Sequence, residues 1–433
     1  MSDTMVATPA PVSQAEPARR QPTDWKTGAM QRRIAKRYTA ERRFRLMGLG
    51  AVLVSVAFLA FLLITMLGNG ARGFTQTEVR LPIDFPRSTL MIDPAQLKGS
   101  GADMALAGAD IQAATAQAAI AAFGPDGAAY LSDGAWLKVR DAIKEDPAIL
   151  SRKAEITVSA STAIDLAAKS DGDAKDEAAY HKLKAEGRVS TGFNMSFLTA
   201  ADSTDPTRVG IWGAFKGSLL TMVMTLLLAF PVGVLAAVYL EEYAPRNRWT
   251  DLIEVSINNL AAVPSIIFGL LGLAVFLNTM HLPRSAALVG GMTLALMTMP
   301  VIVIAGRNAI KSVPPSIRDA ALGIGASPVQ VVFHHVLPLA LPGILTGTII
   351  GMARALGETA PLLMIGMRAF IATPPGGITD PATVLPVQIF LWSDEVSRGF
   401  VEKTSAAIIV LLVFLLTMNG LAIYLRNKFE QRW

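Results

Sequence analysis

Long apolar runs dominate the hydrophobic pattern of this 433-residue chain. A helix that crosses a membrane needs about 20 predominantly apolar residues. Six stretches meet this requirement, although Gly, Pro and polar residues loosen the ends of the third and the fifth. They are 47–67, 218–240, 253–277, 285–305, 339–365 and 405–425. The pattern predicts an all-α polytopic membrane protein with six transmembrane helices.

The segment between the first two stretches has a different pattern. It is about 140 residues long and contains no run that could span a bilayer. Residues 103–123 and 136–149 have helical composition or spacing, 156–159 is typical of a strand, and 169–184 is strongly charged. Its length suits one small soluble domain with an α or α+β fold. Its carboxylates form no catalytic constellation and are expected to be solvated.

Lys and Arg beside the apolar stretches predict the orientation, because cytoplasmic flanks are enriched in both. Ten of them precede the first stretch: Arg19, Arg20, Lys26, Arg32, Arg33, Lys36, Arg37, Arg42, Arg43 and Arg45. The flanks after the second, fourth and sixth stretches are also basic, whereas Arg284, Arg368 and Arg398 are exceptions on the other side. We expect an inner-membrane protein with both termini cytoplasmic and the segment between the first two stretches in the periplasm.

This orientation predicts four parts. They are a basic, partly disordered tail (1–46), a first membrane helix kept as an uncleaved anchor (47–67), a periplasmic insert (68–212) and a membrane core (213–433).

Composition agrees with a membrane protein. Hydrophobic residues make up 52% of the chain and charged residues 17%, against about 25% charged in soluble domains. The absence of Cys excludes disulfides and thiolate chemistry, and the four His residues are scattered, so no metal site is expected. We attribute the net charge of +5 to membrane topology rather than to nucleic-acid binding.

The segment 311–338 after the fourth stretch predicts two short amphipathic helices. Pro314 and Pro315 suit a helix start, and apolar residues recur with helical spacing from Ile317 to Ile324. Glycines follow, and Ser327-Pro328 is typical of a second N-terminus. From patterning alone, the apolar faces could pack on the chain's own spans or dock a soluble partner equally well.

The same segment resembles the cytoplasmic loop motif of ABC-importer permeases. The matching positions are Asp319, Ala320, Ala321, Gly325, Leu337 and Pro338. Asp319 stands where the family has Glu, and His335 stands where it has Ile. The resemblance implies the type I permease fold and a coupling helix that sits in a cleft of an ATPase subunit.

Other motifs extend this resemblance. The segments 238–245, 262–270 and 354–361, and the arrangement of residues 210–430, look like the PstA-type permeases of phosphate-specific importers. The resemblance implies a second, PstC-like permease, two PstB-like ATPase subunits, a PstS-like periplasmic phosphate-binding protein, and phosphate as the substrate. The insert is longer than the first loop typical of that family.

Arg354 and Glu358 are charged residues inside the fifth apolar stretch. Charges in a membrane core are costly and persist when they are paired or functional, and a spacing of four places both on one helix face. They could form an ion pair that only locks helix packing. Alternatively Arg354 could line the substrate path, since its planar fork matches tetrahedral oxyanions. The resemblance to the phosphate permeases implies the pathway role for both.

The chain has no Gly-Lys dipeptide and therefore no P-loop. We expect a non-catalytic subunit without a cofactor, with ATP bound by a partner ATPase. Three alternatives remain at this point. They are a permease for another oxyanion such as sulfate, molybdate or phosphonate, a membrane sensor or scaffold that does not transport, and an ion-gradient transporter.

Overall fold

The computed structural model describes residues 26–90, 92, 97, 102–367 and 370–429. Most of the tail predicted to be disordered lies outside these ranges, and the chain is helical from Gly28 onward. The described elements, in chain order, are α1 (Gly28–Gly73), β1 (Thr75–Asp84), α2 (Ala102–Gly108), α3 (Ile111–Phe123), α4 (Ala135–Glu145), β2 (Lys153–Ser159), α5 (Thr162–Ala168), α6 (Ala174–Ala185), β3 (Val189–Phe193), α7 (Met195–Thr199), α8 (Trp212–Val238), α9 (Arg248–Ala261), α10 (Ser265–Gly272), α11 (Ala287–Lys311), α12 (Pro315–Gly323), α13 (Pro328–Gln330), α14 (Leu337–Leu356), α15 (Ala360–Met364), α16 (Leu385–Ser393) and α17 (Gly399–Phe429).

The chain divides into two compact units, Met1–Ile64 and Thr65–Trp433. The described part of the first unit is one continuous helix within α1, basic up to Arg45 and apolar beyond it. The predicted span 47–67 is therefore the central part of a longer, 46-residue helix.

The insert is an α+β domain built on a three-stranded antiparallel sheet in the order β2-β1-β3. In β1, Val79, Leu81 and Ile83 are buried and alternate with less buried residues, which is the period-two pattern of a strand with one face in a core. Helices α3, α4 and α5 contribute Ile111, Val139 and Ile164 to the same hydrophobic core. The strand predicted at 156–159 is the second half of β2, while β1 and β3 were not predicted.

The predicted helices of the insert are present with different ends. Residues 103–123 form two helices, α2 and α3, with the side chain of Asp110 capping the second. The predicted helix at 136–149 ends at Glu145, and Pro147–Ser151 continues as a 3₁₀ turn.

Five helices in the described ranges are long and apolar enough to cross a membrane, and the count is six if a bent pair is one span. The five are Gly28–Gly73, Trp212–Tyr243, Ala287–Lys311, Pro328–Leu356 and Gly399–Lys428. The second of these ends in a π-helical turn, Tyr239–Tyr243. The fourth joins α13 to α14 through a π-helical segment, Val331–Val336.

The third predicted stretch, 253–277, is not a straight helix. It consists of Arg248–Ala261 and Ser265–Thr279, which meet at an angle of 101°. Pro264 precedes α10, and it supplies no backbone N–H to continue α9. Polar residues are frequent before Pro264 and rare after it, but the apolar pattern predicts one span and does not give the bend.

The bounds predicted for the fifth stretch, 339–365, also differ from those of the helix in the structure. Its helix begins earlier, at Pro328, and ends at Leu356, with Gly357 as the C-cap. The short helix α15 follows, and α16 was not predicted. Helix α11 is the most buried of the spans. Its small residues Gly290, Gly291 and Gly306 face neighbouring side chains at close range, as membrane helices require for tight packing.

Candidate functional site

Arg354 lies in the last turn of α14, and Glu358 lies beyond the end of that helix. The prediction that both charges share one helix face is therefore wrong, because Gly357 ends α14 between them. The two side chains nevertheless approach each other, with Arg354 Nε 3.6 Å from Glu358 Oε1. The side chain of Arg354 is 50% exposed and that of Glu358 is 18% exposed.

This geometry leaves most of the guanidinium available. No other ion pair of Arg354 is found within the described part of the chain. An Arg fork can bind a carboxylate with one edge and still present N–H donors to an oxyanion. The pair could therefore hold the fork in place without using all of its donors.

The loop motif forms two helices joined by a turn. Pro314 precedes α12, and Pro315 is its first residue, as the sequence predicted. Gly325 has φ +92°, a conformation that glycine adopts without steric cost. Ser327 caps α13 in a capping box with Gln330, with Pro328 at the first position, again as predicted.

The apolar faces of these two helices are only half covered. Ala321 is buried, Ile317 is partly buried, and Val332 and Val336 are buried against the membrane core. Other apolar side chains of the loop are exposed: Leu322 (48%), Ile324 (83%), Val329 (55%) and Phe333 (43%). The loop thus packs on the chain's own spans with one side and presents a second apolar side.

The remaining motif residues differ in burial. Asp319 and Ala320 are exposed. Leu337 and Pro338 are partly buried at the start of α14. The motif therefore joins the exposed helix α12 to the membrane helix α14, whose last turn contains Arg354.

Two arginines pair with carboxylates near the loop, Arg318 within α12 and Arg307 in α11 just before it, and the sequence did not reveal their partners. Arg318 Nη2 lies 2.7 Å from Glu242 Oε1 and also donates to the carbonyl of Ile310 at 3.0 Å. Arg307 lies 3.4 Å from Glu241 and 3.0 Å from Glu254. The carboxylate partners Glu241 and Glu242 lie in the π-helical turn after α8. A sequence signal for these ion pairs was the presence of two adjacent Glu residues at the end of an apolar span.

A partly buried carboxylate lies at the other end of the core. Asp202 accepts a hydrogen bond from Trp392 Nε1 of α16 at 3.1 Å and another from the backbone N–H of Ser203. Burial raises the pKa of the Asp202 carboxyl, and the hydrogen bonds oppose this shift only in part. Its backbone N–H donates to the carbonyl of Ile371, so Asp202 links three segments of the chain.

No group of three or more metal-ligating side chains occurs among the residues that the structure describes. His334 is exposed, and His335 is partly buried. Neither contributes to such a cluster.

Comparison with known proteins identifies the class to which this architecture belongs. Residues 229–432 match the family model described as binding-protein-dependent transport system inner membrane component, and residues 31–178 match a domain of unknown function, DUF3333. The chain is 31% identical over 255 residues to the probable ABC transporter permease protein YqgI of Bacillus subtilis, a match that covers 54% of this chain and 85% of that protein. The chain therefore belongs to the family of binding-protein-dependent transport system inner membrane components.

Within this family the chain is a PstA-type permease with an N-terminal extension. It is 30% identical over 233 residues to the phosphate transport system permease protein PstA of Yersinia pestis, covering 53% of this chain and 77% of that protein. The phosphate transport system permease protein PstA 1 of Mycobacterium tuberculosis H37Rv is 34% identical over 156 residues, which are 36% of this chain and 50% of that protein. Permeases of this family are non-catalytic membrane subunits of ABC transporters.

Among solved structures, the MetNI methionine ABC transporter in inward-facing conformations matches with 16% identity and a TM-score of 0.38. That match covers 51% of this chain and 95% of the other chain.

Proposed function

We propose that this chain is the permease subunit of an ATP-driven phosphate importer, that it forms half of the translocation pore, and that it couples to an ATPase through the loop 311–338. The half-covered loop carries this proposal. Its inner side is fixed by Arg318 and Glu242 at 2.7 Å, and its outer side presents Ile324 with 83% exposure. A rigid apolar protrusion of this kind suits docking into a cleft of a soluble subunit.

The loop continues directly into α14, and this continuity gives a path by which movement of the loop would reach the pore. Motif residues Asp319, Ala320, Ala321 and Gly325 lie before α14, and Leu337 and Pro338 lie in its first turn. A displacement of the docked loop would therefore move α14, whose last turn carries Arg354. Since α14 also packs on α11 and α17, the movement would change the opening of the pore.

Arg354 and Glu358 would line the substrate path. The half-exposed guanidinium offers paired N–H donors to a tetrahedral oxyanion. Glu358 would hold the guanidinium and moderate its attraction, so that phosphate can leave. This charge balance suits transport, which requires binding weak enough for release.

We infer the other subunits of the importer from the similarity of this chain to PstA-type permeases. The partners would be a second, PstC-like permease, two PstB-like ATPases that bind ATP, and a PstS-like periplasmic phosphate-binding protein. The chain would lie in the bacterial inner membrane with both termini cytoplasmic and the insert periplasmic. The basic first part of α1 and the basic residues Arg426 and Lys428 of α17 support this orientation.

Docking of the loop can be tested by co-purification with the ATPase subunit of the same transporter. Ile324→Glu should abolish co-purification, because a charge would replace the most exposed apolar side chain of the loop. Val396→Glu is the matched control, since Val396 is 98% exposed but precedes α17 outside the loop. Retention of the ATPase by Ile324→Glu at the control level would contradict coupling through this surface.

A further inference from the structure

Two neighbouring apolar side chains of the insert are exposed without an evident reason. Phe193 at the end of β3 is 62% exposed, and Met195 at the start of α7 is 61% exposed. Most other large apolar residues of the described insert lie in its core. Neither side chain belongs to the pore or to the coupling loop.

The surroundings of Phe193 connect it to the membrane helices. Its ring stacks on Phe74 with centroids 6.4 Å apart, and Phe74 meets Phe197 edge-on at 5.5 Å. Lys403 Nζ, in the first turns of α17, lies 5.4 Å from the centre of the Phe197 ring. The backbone N–H of Trp212, the first residue of α8, donates to the carbonyl of Ala200 just after α7.

This placement gives the level of the exposed residues relative to the bilayer. The apolar stretch of α17 begins at residue 405, about 3 Å beyond Lys403 at a rise of 1.5 Å per residue. The headgroup layer extends roughly 5–7 Å on each side of the hydrocarbon core. We infer from this that Phe197 lies near the depth of the headgroups; Phe193 is linked to Phe197 through Phe74, and Met195 is two residues away from it in the chain.

Two further observations agree with this depth. Trp212 is 43% exposed, and Trp is enriched where a membrane helix passes through the interface. In addition, β3 is an edge strand of the sheet. Exposed edge strands are prone to unwanted pairing unless something covers them.

We propose that Phe193, Met195 and Trp212 form a lipid-contact patch, with which the insert rests on the headgroup region of the leaflet on its own side. The continuity of the patch with the ends of α8 and α17 identifies the lipid bilayer, rather than a soluble protein, as the partner. The insert would then lie flat beside the mouth of the pore, with the end of β3 shielded by lipid. This inference does not depend on which substrate is transported.

The native chain contains no Cys, so single spin labels can be attached without removing any residue. We would label Phe193→Cys and, separately, Met195→Cys in the full chain, reconstituted in nanodiscs of phosphatidylethanolamine and phosphatidylglycerol. Power saturation then compares accessibility to oxygen, which partitions into lipid, with accessibility to a water-soluble nickel chelate. Leu227→Cys, exposed on α8, gives the lipid reference, and Met104→Cys, exposed on α2, gives the water reference.

We expect both patch labels to show an oxygen-to-nickel ratio several-fold above that of Met104→Cys and shifted towards that of Leu227→Cys. A ratio equal to that of Met104→Cys would mean that the patch faces water and would overturn the proposal. Low accessibility to both reagents would mean that protein covers the patch, and it would overturn the proposal equally. Two labels at neighbouring positions guard against a local disturbance from losing the Phe193 ring.

Discussion

Gly325 shows how one residue shapes the loop 311–338. The sequence indicated a helix end at the glycines, and the structure assigns the special conformation to Gly325 alone, with φ +92°. Gly323 lies in α12 with no positive φ and with open space around it. The two glycines are therefore a natural pair for comparison.

We predict that Gly325→Ala destabilises the loop by about 1–2 kcal/mol, the cost of the left-handed conformation for a residue with a Cβ. Gly323→Ala should be neutral or stabilise α12 by up to about 1 kcal/mol. Amide hydrogen exchange across residues 315–330 measures both effects. Equal exchange rates in the two variants would show that the φ of Gly325 is not the constraint we infer.

The raised pKa of Asp202 leads us to predict that the stability of the folded chain depends on pH. Burial raises the pKa of this carboxyl in the folded state, so the folded chain binds more protons than the unfolded chain within the shifted range. The stability contributed by Asp202 is fully present below its unfolded pKa of about 4. It is lost as the pH rises through the raised folded pKa.

Asp202→Asn should remove this loss, because an amide keeps an acceptor for Trp392 Nε1 and carries no charge. We expect a higher thermal unfolding midpoint at neutral pH in detergent, and a flatter dependence on pH above about 4. Asp173→Asn is the control, since its side chain is 80% exposed. An unchanged pH profile in Asp202→Asn would refute this explanation.

At the scale of elements, a buried charge cluster joins the insert to α17. Lys169 Nζ, just after α5, lies 2.8 Å from Asp165 and 2.7 Å from Glu402, with side-chain exposures of 6%, 13% and 8%. Asp165 also accepts a hydrogen bond from the backbone N–H of Thr77 in β1 at 2.7 Å. The cluster thus connects the central strand of the insert to the last membrane helix.

Glu402→Gln should weaken the insert, because it leaves Lys169 buried with one carboxylate fewer. Removing one partner of a buried pair costs up to about 3–5 kcal/mol, and Asp165 still faces Lys169 in this variant. Hydrogen exchange of the β1 amides measures the change. Lys175→Met, which breaks the exposed pair with Asp126, should cost less than about 1 kcal/mol. A Glu402→Gln effect no larger than this control would be inconsistent with a structural role for the cluster.

Elements set by local signals could be predicted from the sequence, and elements set by distant partners could not. Prolines and glycines fix both ends of α12 and the start of α13, and these matched, whereas the second helix was predicted to be short and instead continues into α14. Strand β1 pairs with β2 and with β3, which lie far along the chain, so its alternation alone did not identify it. The bend at Pro264 and the early end of α14 at Gly357 lie beside polar residues, glycine or proline, but average hydropathy over a window of about 20 residues did not locate either break.

At the scale of the whole molecule, the candidate site joins residues that the sequence identified separately. The end of the loop 311–338 and Arg354 lie at opposite ends of one continuous span, Pro328–Leu356. The sequence predicted both positions from motif and charge. It did not predict the carboxylates Glu241, Glu242 and Glu254, because their partners come from other helices.

Under the proposed function, the guanidinium of Arg354 lies in the path of phosphate through the membrane. Measuring phosphate uptake tests this claim most directly. Radiolabelled phosphate uptake would be measured in cells lacking this chain, complemented with wild type, Arg354→Ala or the control Arg152→Ala, whose side chain is exposed on the insert. Excess sulfate would be the competitor, and membrane levels of each variant would be matched.

We predict that wild type and Arg152→Ala restore uptake that sulfate does not inhibit, and that Arg354→Ala does not. Failure of wild type to restore phosphate uptake would contradict phosphate as the substrate. Full uptake by Arg354→Ala would contradict the place of its guanidinium in the substrate path.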